Sequence, residues 1–203
     1  WQLGTVTRPG NVADVTAAIA EELDAGLIAI GRGGPKPSHI VHRLIHNAPC
    51  DVLIVRHTPR DPAITYRRIA VATDGSATAD RAARRGFDLG RLVGASIDLI
   101  FVGHTATGEL IASDTIDVYG NDIETRQHIL DGDPGAGILE ACAAAASELV
   151  VVGNKGISGL RGRLLGSVPQ YVLDHTLADV LICRTVRQTE SQLQPGEGGI
   201  IQR

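Results

Sequence analysis

The sequence predicts an α/β protein built on an open parallel sheet, and three observations carry that expectation. Short apolar runs rich in β-branched residues alternate along the chain with stretches of helical periodicity. Such runs, bounded by glycines, mark strands covered on both faces, and their alternation with helices argues parallel βα units. Part of the chain also repeats: Asp51-Val-Leu-Ile-Val-Arg56 returns as Asp179-Val-Leu-Ile-Cys-Arg184, and Leu27-Ile-Ala-Ile-Gly31 as Leu149-Val-Val-Val-Gly153. Finally, Glu148 to Val168 (ELVVVGNKGISGLRGRLLGSV) reads as a strand, a long glycine-rich loop and a helix start.

Taken in order, Pro9-Gly10-Asn11 is a turn into a helix whose apolar positions are Val12, Val15, Ile19 and Leu23. Leu27 to Ile30 is a strand ending at Gly31. Ser38 caps a helix with Ile40, Val41, Leu44 and Ile45 on its apolar side, and Asp51 to Arg56 is the next strand. Thr58 to Tyr66 holds two prolines and no periodicity, which suits a linker.

A second unit opens with a strand from Arg68 that runs into the turn Asp74-Gly75-Ser76. Ala77 to Gly94 is helical, with Ala79, Ala82, Ala83, Phe87 and Val93 for a core face, and Ile97 to Val102 is a strand. Residues 105–123 are polar and mixed, with room for a short helix, and Glu124 to Leu130 suits a strand. Pro134 opens an alanine-rich helix to about Ser147. Strand 149–152, the glycine loop, helix 168–177 and strand 180–184 complete the unit, and residues 187–203 form a polar, glycine-rich tail. The predicted organisation is 1–57, a partial unit; 58–66, a linker; 67–186, a complete unit; and 187–203, a tail. Residues 1–57 match only the back half of the complete unit. That gap, and a chain with no Met, predict a piece of a longer protein.

Composition excludes some functions. The 203 residues carry a formal net charge of −4, which gives no electrostatic case for nucleic acid or an anionic membrane. No apolar run reaches the ~18 residues of a membrane span, and no signal peptide is visible. Cys50, Cys142 and Cys183 are scattered without metal spacing, as expected of reduced thiols packed as small hydrophobes in a cytoplasmic protein. His42 and His46 share a helix face, but without a nearby acidic or Cys ligand they predict a surface or interface face rather than a metal site.

The loop after the 149–152 strand points to an anion. Gly153 and Gly156 let the main chain approach a ligand closely. N–H groups around Gly166, Ser167 and Val168 can face phosphate oxygens, with Ser167 as N-cap and Pro169 in the first turn. Lys155, Arg161 and Arg163 add positive charge, and Asn154 lies inside the loop. The bland alternative is a crossover turn in which Ser167 is only a cap. No Walker A motif occurs.

Gly153-x-x-Gly156, nine residues, then Gly166-Ser167 resembles the nucleotide loop of the universal stress proteins, in their ATP-binding branch. The resemblance covers nearly the whole chain, as one and a half tandem units. It implies a Rossmann-like, HUP-type sheet of five strands in the order 3-2-1-4-5, preceded by a partial second copy. It also implies ATP as ligand, with Mg²⁺ as its companion. By the resemblance, Asp74 belongs to the adenine or ribose end and the Val102 main chain reads adenine. Without it, Asp74 equally suits a turn residue capping the following helix beside Ser76. His104 follows the same strand end as Val102. The first unit's loop is degraded: Gly31-Arg32-Gly33-Gly34 keeps the first glycine pair, yet Leu44 stands where Gly-Ser would fall. The offset between copies is 122 residues at Leu27/Leu149 and 128 at Asp51/Asp179, so the first loop is six residues shorter. One nucleotide per chain, in the second unit, is therefore expected.

Two functions follow. One is an ATP-binding stress-response module that senses adenine nucleotide and signals through a partner or self-association. The other is a slow ATPase or nucleotidyl-transfer enzyme. The loop offers cations and amides but no evident base or metal-holding carboxylate, so the first is favoured. The repeated strands 51–56 and 179–184 resemble family strands that pair across a two-fold axis, which implies a pseudo-dimer within the chain and homodimers beyond it.

Overall fold

Strands and helices alternate through the computed structural model, which describes residues 3–34, 36–56, 66–155 and 165–184. The strands are β1 (Leu27–Gly31), β2 (Asp51–Val55), β3 (Arg68–Ala72), β4 (Ser96–Val102), β5 (Thr125–Leu130), β6 (Leu149–Gly153) and β7 (Asp179–Cys183). The helices are α1 (Val12–Glu22), α2 (His39–Asn47), α3 (Ala77–Val93), α4 (Thr105–Tyr119), α5 (Pro134–Ala145) and α6 (Ser167–His175).

All seven strands join one sheet, in the order β1-β2-β7-β6-β3-β4-β5. From β5 to β7 the strands are parallel and run 3-2-1-4-5 in unit numbering, as expected. The expected five-stranded limit is corrected, because β2 pairs antiparallel with β7 and carries β1 on its far side. Leu53 sits opposite Leu181, and Val52 and Ile54 sit opposite Ile182 and Val180. Leu53 and Leu181 are equivalent residues of the repeat, so a local two-fold axis passes between them.

Side chains alternate across the sheet, so each strand feeds two cores. One core lies under α1, α2, α5 and α6 and includes Val41, Leu44, Val52, Ile54, Val150, Val172 and Ile182. The other lies under α3 and α4 and includes Ile69, Val71, Phe87, Leu99, Leu149 and Val151. Helix α3 comes down close because it turns Ala79, Ala82, Ala83 and Gly86 to the sheet; a Cβ on Gly86 would fall 2.5 Å from Val71 Cγ2. Four helices start on the side chains that the sequence offers. Asn11 accepts from the amide of Ala13 (3.1 Å), Ser38 from Val41 (3.4 Å), Ser76 from Ala79 (3.2 Å) and Asp133 from Ala136 (2.9 Å).

Two expectations change. Residues 105–119 form a full helix of 15 residues rather than a short one. Its buried positions are Gly108 and Ala112, and a Cβ on Gly108 would meet Phe101 Cδ1 at 2.5 Å and Ile129 Cγ2 at 2.9 Å. A helix that buries small residues shows no apolar stripe. Helix α6 begins at Ser167 with Gly166 as N-cap, and makes no side-chain cap. The Gly166 amide donates to the Asn154 carbonyl at 2.8 Å, which pins the cap one residue before the serine. Of the expected linker only Tyr66 is among the described residues, and the tail 187–203 lies outside them.

Candidate functional site on the C-terminal rim of the sheet

Because β3, β4 and β6 run parallel, their carboxyl ends share one rim of the sheet, and helices α3 and α6 start there. Between β3 and β6 the connections diverge to opposite faces, the usual place for a crevice in such sheets. Asp74, Val102, the Gly153–Lys155 segment and the Gly166–Val168 segment all fall on this rim. Gly156, Arg161 and Arg163 lie outside the described residues.

The turn after β3 is built by its own polar atoms. Gly75 has φ +76°, a left-handed conformation suited to glycine. Half-buried Asp74 accepts the Ser76 amide through Oδ1 at 3.0 Å, and Thr73 Oγ1 accepts the Gly75 amide at 3.3 Å. Ser76 then caps α3. Asp74 thus braces the turn while it stands at the strand tip. At the end of β4 the Val102 side chain is turned toward α5: a Cβ on Gly137 would meet its Cγ2 at 2.8 Å. Only its main chain stands at the rim, while His104 is exposed just before α4.

Gly153 has a role that its sequence context did not reveal. A Cβ there would lie 2.8 Å from Thr78 Cγ2 and 3.0 Å from the Thr78 carbonyl oxygen. The missing side chain lets the first turn of α3 press onto the end of β6. Asn154 is buried; its amide donates to the Cys183 carbonyl at 2.8 Å and its carbonyl accepts the Gly166 amide at 2.8 Å. The loop is thereby clasped at its base. Lys155 is half-buried beside Gly166, whose added Cβ would sit 3.5 Å from the Lys155 Cα.

That clasp decides which amides can face an anion. The Gly166 N–H is taken by Asn154, Pro169 has none, and the Gln170 N–H donates to the Gly166 carbonyl at 3.1 Å. The α6 backbone itself supplies no acceptor for the amides of Ser167 and Val168, which belong to the first turn. These two donors lie at the positive end of the helix. Sequence spacing put Gly166 on equal footing with them.

The first unit's counterpart takes another form. Arg32 occupies the place of Asn154, and its amide donates to the Val55 carbonyl at 2.8 Å, as that of Asn154 does to Cys183. Its buried guanidinium donates to the carbonyls of Thr176 (2.9 Å) and Asp174 (3.1 Å) at the C-terminal end of α6. The short loop thus docks the two units together. His42 also faces the other unit, with Gln170 Nε2 at 3.2 Å from its Nδ1 and Asp174 Oδ1 at 3.6 Å from its Nε2. Among the described residues no group of three His, Cys, Asp or Glu side chains converges as a metal site. No described helix is long and apolar enough to cross a membrane.

The family profile for universal stress proteins matches residues 2–56, 65–119 and 106–184. The chain belongs to the universal stress protein family. Among curated relatives, universal stress protein Rv1636 of Mycobacterium tuberculosis is 28% identical over 145 residues, covering 59% of this chain and 97% of that protein. Universal stress protein MJ0531 of Methanocaldococcus jannaschii is 28% identical over 141 residues, covering 59% of this chain and 82% of that one. A solved universal stress protein in complex with cAMP superposes with a TM-score of 0.53 and 30% identity, covering 59% of this chain and 98% of that chain. Longer matches come from Archaeoglobus fulgidus (TM-score 0.67, 24% identity, 85% of this chain and 64% of that chain) and Pseudomonas aeruginosa (0.70, 20%, 88% and 70%). These last two share the fold.

Proposed function

We propose that the second unit binds an adenine nucleotide, ATP with Mg²⁺, on the C-terminal rim and acts as a stress-response regulatory module rather than as an enzyme. The observation that carries this reading is that the Ser167 and Val168 amides at the start of α6 and the carboxyl ends of β3 and β4 lie on the same rim of the sheet. In the proposed arrangement those amides and Lys155 hold the phosphates, Asp74 receives the ribose or adenine donors, and the Val102 main chain meets the base. The flanking Gly153, Asn154, Gly156 and Gly166 shape the loop. A bound nucleotide orders the loop around itself and alters the surface shown to a partner or to a second copy of the chain. The cAMP complex of a 30% identical relative supports an adenine nucleotide as the ligand class.

The proposed division is a partial unit at 1–57, a linker at 58–66, the nucleotide-binding unit at 67–186 and a tail at 187–203. The β2–β7 junction acts as the pseudo-dimer contact, homodimers form beyond it, and the proposed setting is cytoplasmic.

The test is to incubate the purified chain with ATP or cAMP and to measure retained nucleotide and released phosphate together. Stoichiometric retention with negligible release supports the reading; rapid multiple turnover makes the enzyme primary, and no retention removes the site. Gly166→Val sharpens the test. An added Cβ meets Pro169 Cδ at 3.4 Å and Lys155 Cα at 3.5 Å, ordinary contacts, and Gly166 has φ −67°, open to any residue. The variant should fold normally and lose at least about tenfold in nucleotide affinity, because the added side chain stands at the helix start where the phosphates would approach.

A further inference from the structure

Helix α6 is nine residues long, roughly 13 Å, and its two ends are held by different units. At its start no side chain caps it, and the Asn154 carbonyl accepts the Gly166 amide at 2.8 Å. At its end the carbonyls meet donors from the first unit. Arg32 Nη2 donates to the Asp174 carbonyl at 3.1 Å and Nη1 to the Thr176 carbonyl at 2.9 Å. Arg56 Nη1 donates to the Leu177 carbonyl at 2.7 Å. Closer to the start, Gln170 Nε2 lies 3.2 Å from His42 Nδ1 and donates to Asp174 Oδ2 at 2.8 Å. The reverse grip is looser, with Arg184 Nη1 reaching the His46 carbonyl of α2 at 3.5 Å.

A buried charge is a poor way to gain stability, and neutral side chains would dock two units as well. Arg32 is 3% exposed, and its Nε has no acceptor among the described residues. Burial, and then the neighbouring Arg56 guanidinium, hold its pKa below the ordinary guanidinium value. What the buried group supplies is a fixed positive charge, forked onto two carbonyls, at the negative end of α6. We propose that Arg32 is a positioning residue for the nucleotide site of the second unit. By anchoring the end of α6 it sets where the Ser167 and Val168 amides stand, so the docking of the first unit and the nucleotide affinity of the second are coupled. A short, hydrogen-bonded helix passes a shift at Thr176 on to Ser167 as one rigid piece. The inference rests on the reading that those two amides hold the phosphates.

The test is titration calorimetry of the whole chain and three variants with ATP and Mg²⁺. Arg32→Gln should weaken ATP binding by at least about fivefold. Arg32→Lys, which keeps the charge and loses the fork, should fall between that variant and the parent. Ile28→Val removes one buried methyl group from β1 of the same unit. It should lower the urea midpoint and leave ATP affinity within about twofold of the parent. In the nucleotide-free chain, hydrogen exchange in the first turn of α6 should quicken in Arg32→Gln. Parent-like affinity in both Arg32 variants overturns the coupling and leaves the nucleotide reading standing. An equal loss in Ile28→Val also overturns it, because affinity then follows stability alone. A parent chain that binds no ATP overturns both, and if Arg32→Gln does not fold, Arg32→Lys decides alone.

Discussion

The two copies of the strand–loop–helix motif share a backbone plan and put it to opposite uses. After β6, Gly153 abuts Thr78 of α3, and Asn154 clasps the loop at its base. After β1, Gly31 meets nothing, the loop is six residues shorter, and Arg32 turns its guanidinium inward onto the end of α6. Gly153 lies against a helix where a side chain does not fit, whereas an added Cβ on Gly31 meets no described atom within 4 Å. The comparison teaches that the two copies share a strand-end plan, while Arg32 of the shorter loop reaches the end of α6 and Asn154 clasps the base of its own loop.

The sharpest way to break the comparison lies where the copies remain equivalent. Asp51 Oδ1 accepts the Arg184 amide at 2.8 Å, and Asp179 Oδ1 accepts the Arg56 amide at 2.7 Å, each reaching across the junction. The second oxygens differ: Asp51 Oδ2 accepts from Arg85 Nε of α3 at 3.1 Å, and Asp179 Oδ2 from the Tyr66 hydroxyl at 2.8 Å. Both carboxylates are buried, so Asp51→Ala and Asp179→Ala should each lower the unfolding free energy by roughly 3 kcal/mol in urea titrations. A loss below a third of that at either site would mean that the junction contributes little to stability.

Next in size is the glycine pair. Gly153→Ala must displace the Thr78 backbone and should cost about 2 kcal/mol, whereas Gly31→Ala should change stability by less than ~0.5 kcal/mol. Equal effects in the same titration would erase the packing difference drawn here. Arg32→Ala removes two hydrogen bonds to the terminal carbonyls of α6 and should cost about 1–2 kcal/mol; Asn154→Ala leaves both of its main-chain bonds intact.

The smallest expected effect is one of pH. Burial pushes the Cys142 thiol from its ordinary value of 9.0 up to about 12, with the nearby Asp98 carboxylate adding to the shift. The folded thiol therefore keeps its proton while the unfolded one ionises. Its contribution is complete below pH 9 and fades as pH rises toward 12. The urea midpoint should fall across that window, and Cys142→Ala should remove part of the fall. An identical pH dependence in the variant would assign the decline to other groups.

Much of this molecule was legible in the residues. Apolar runs marked every strand except β5, whose sequence Thr-Arg-Gln-His-Ile-Leu is mostly polar, and side-chain caps at Asn11, Ser38 and Ser76 marked helix starts, because both signals act over a few neighbouring residues. Helix α4 was under-read because its buried positions are Gly108 and Ala112, while Leu110 and Val118 point outward at 68% exposure each. At the rim, sequence grouped Gly166, Ser167 and Val168 as equal donors; the structure spends the first on Asn154. Thr78 went unread as the partner of Gly153, since nothing local links residues so far apart. The repeated Asp and Arg that frame β2 and β7 were the one visible hint of the reciprocal bonds across the junction.

Local pattern and repetition by themselves determined the alternation of strands and helices, and the glycine spacing pointed to the family. The tertiary structure decided the register that sets Leu53 against Leu181 and the turn of Arg32 onto the end of α6. The reason is physical. A strand's hydrogen-bonding edge is main chain, the same for any sequence, so its partner is chosen by side chains brought together from distant parts of the chain.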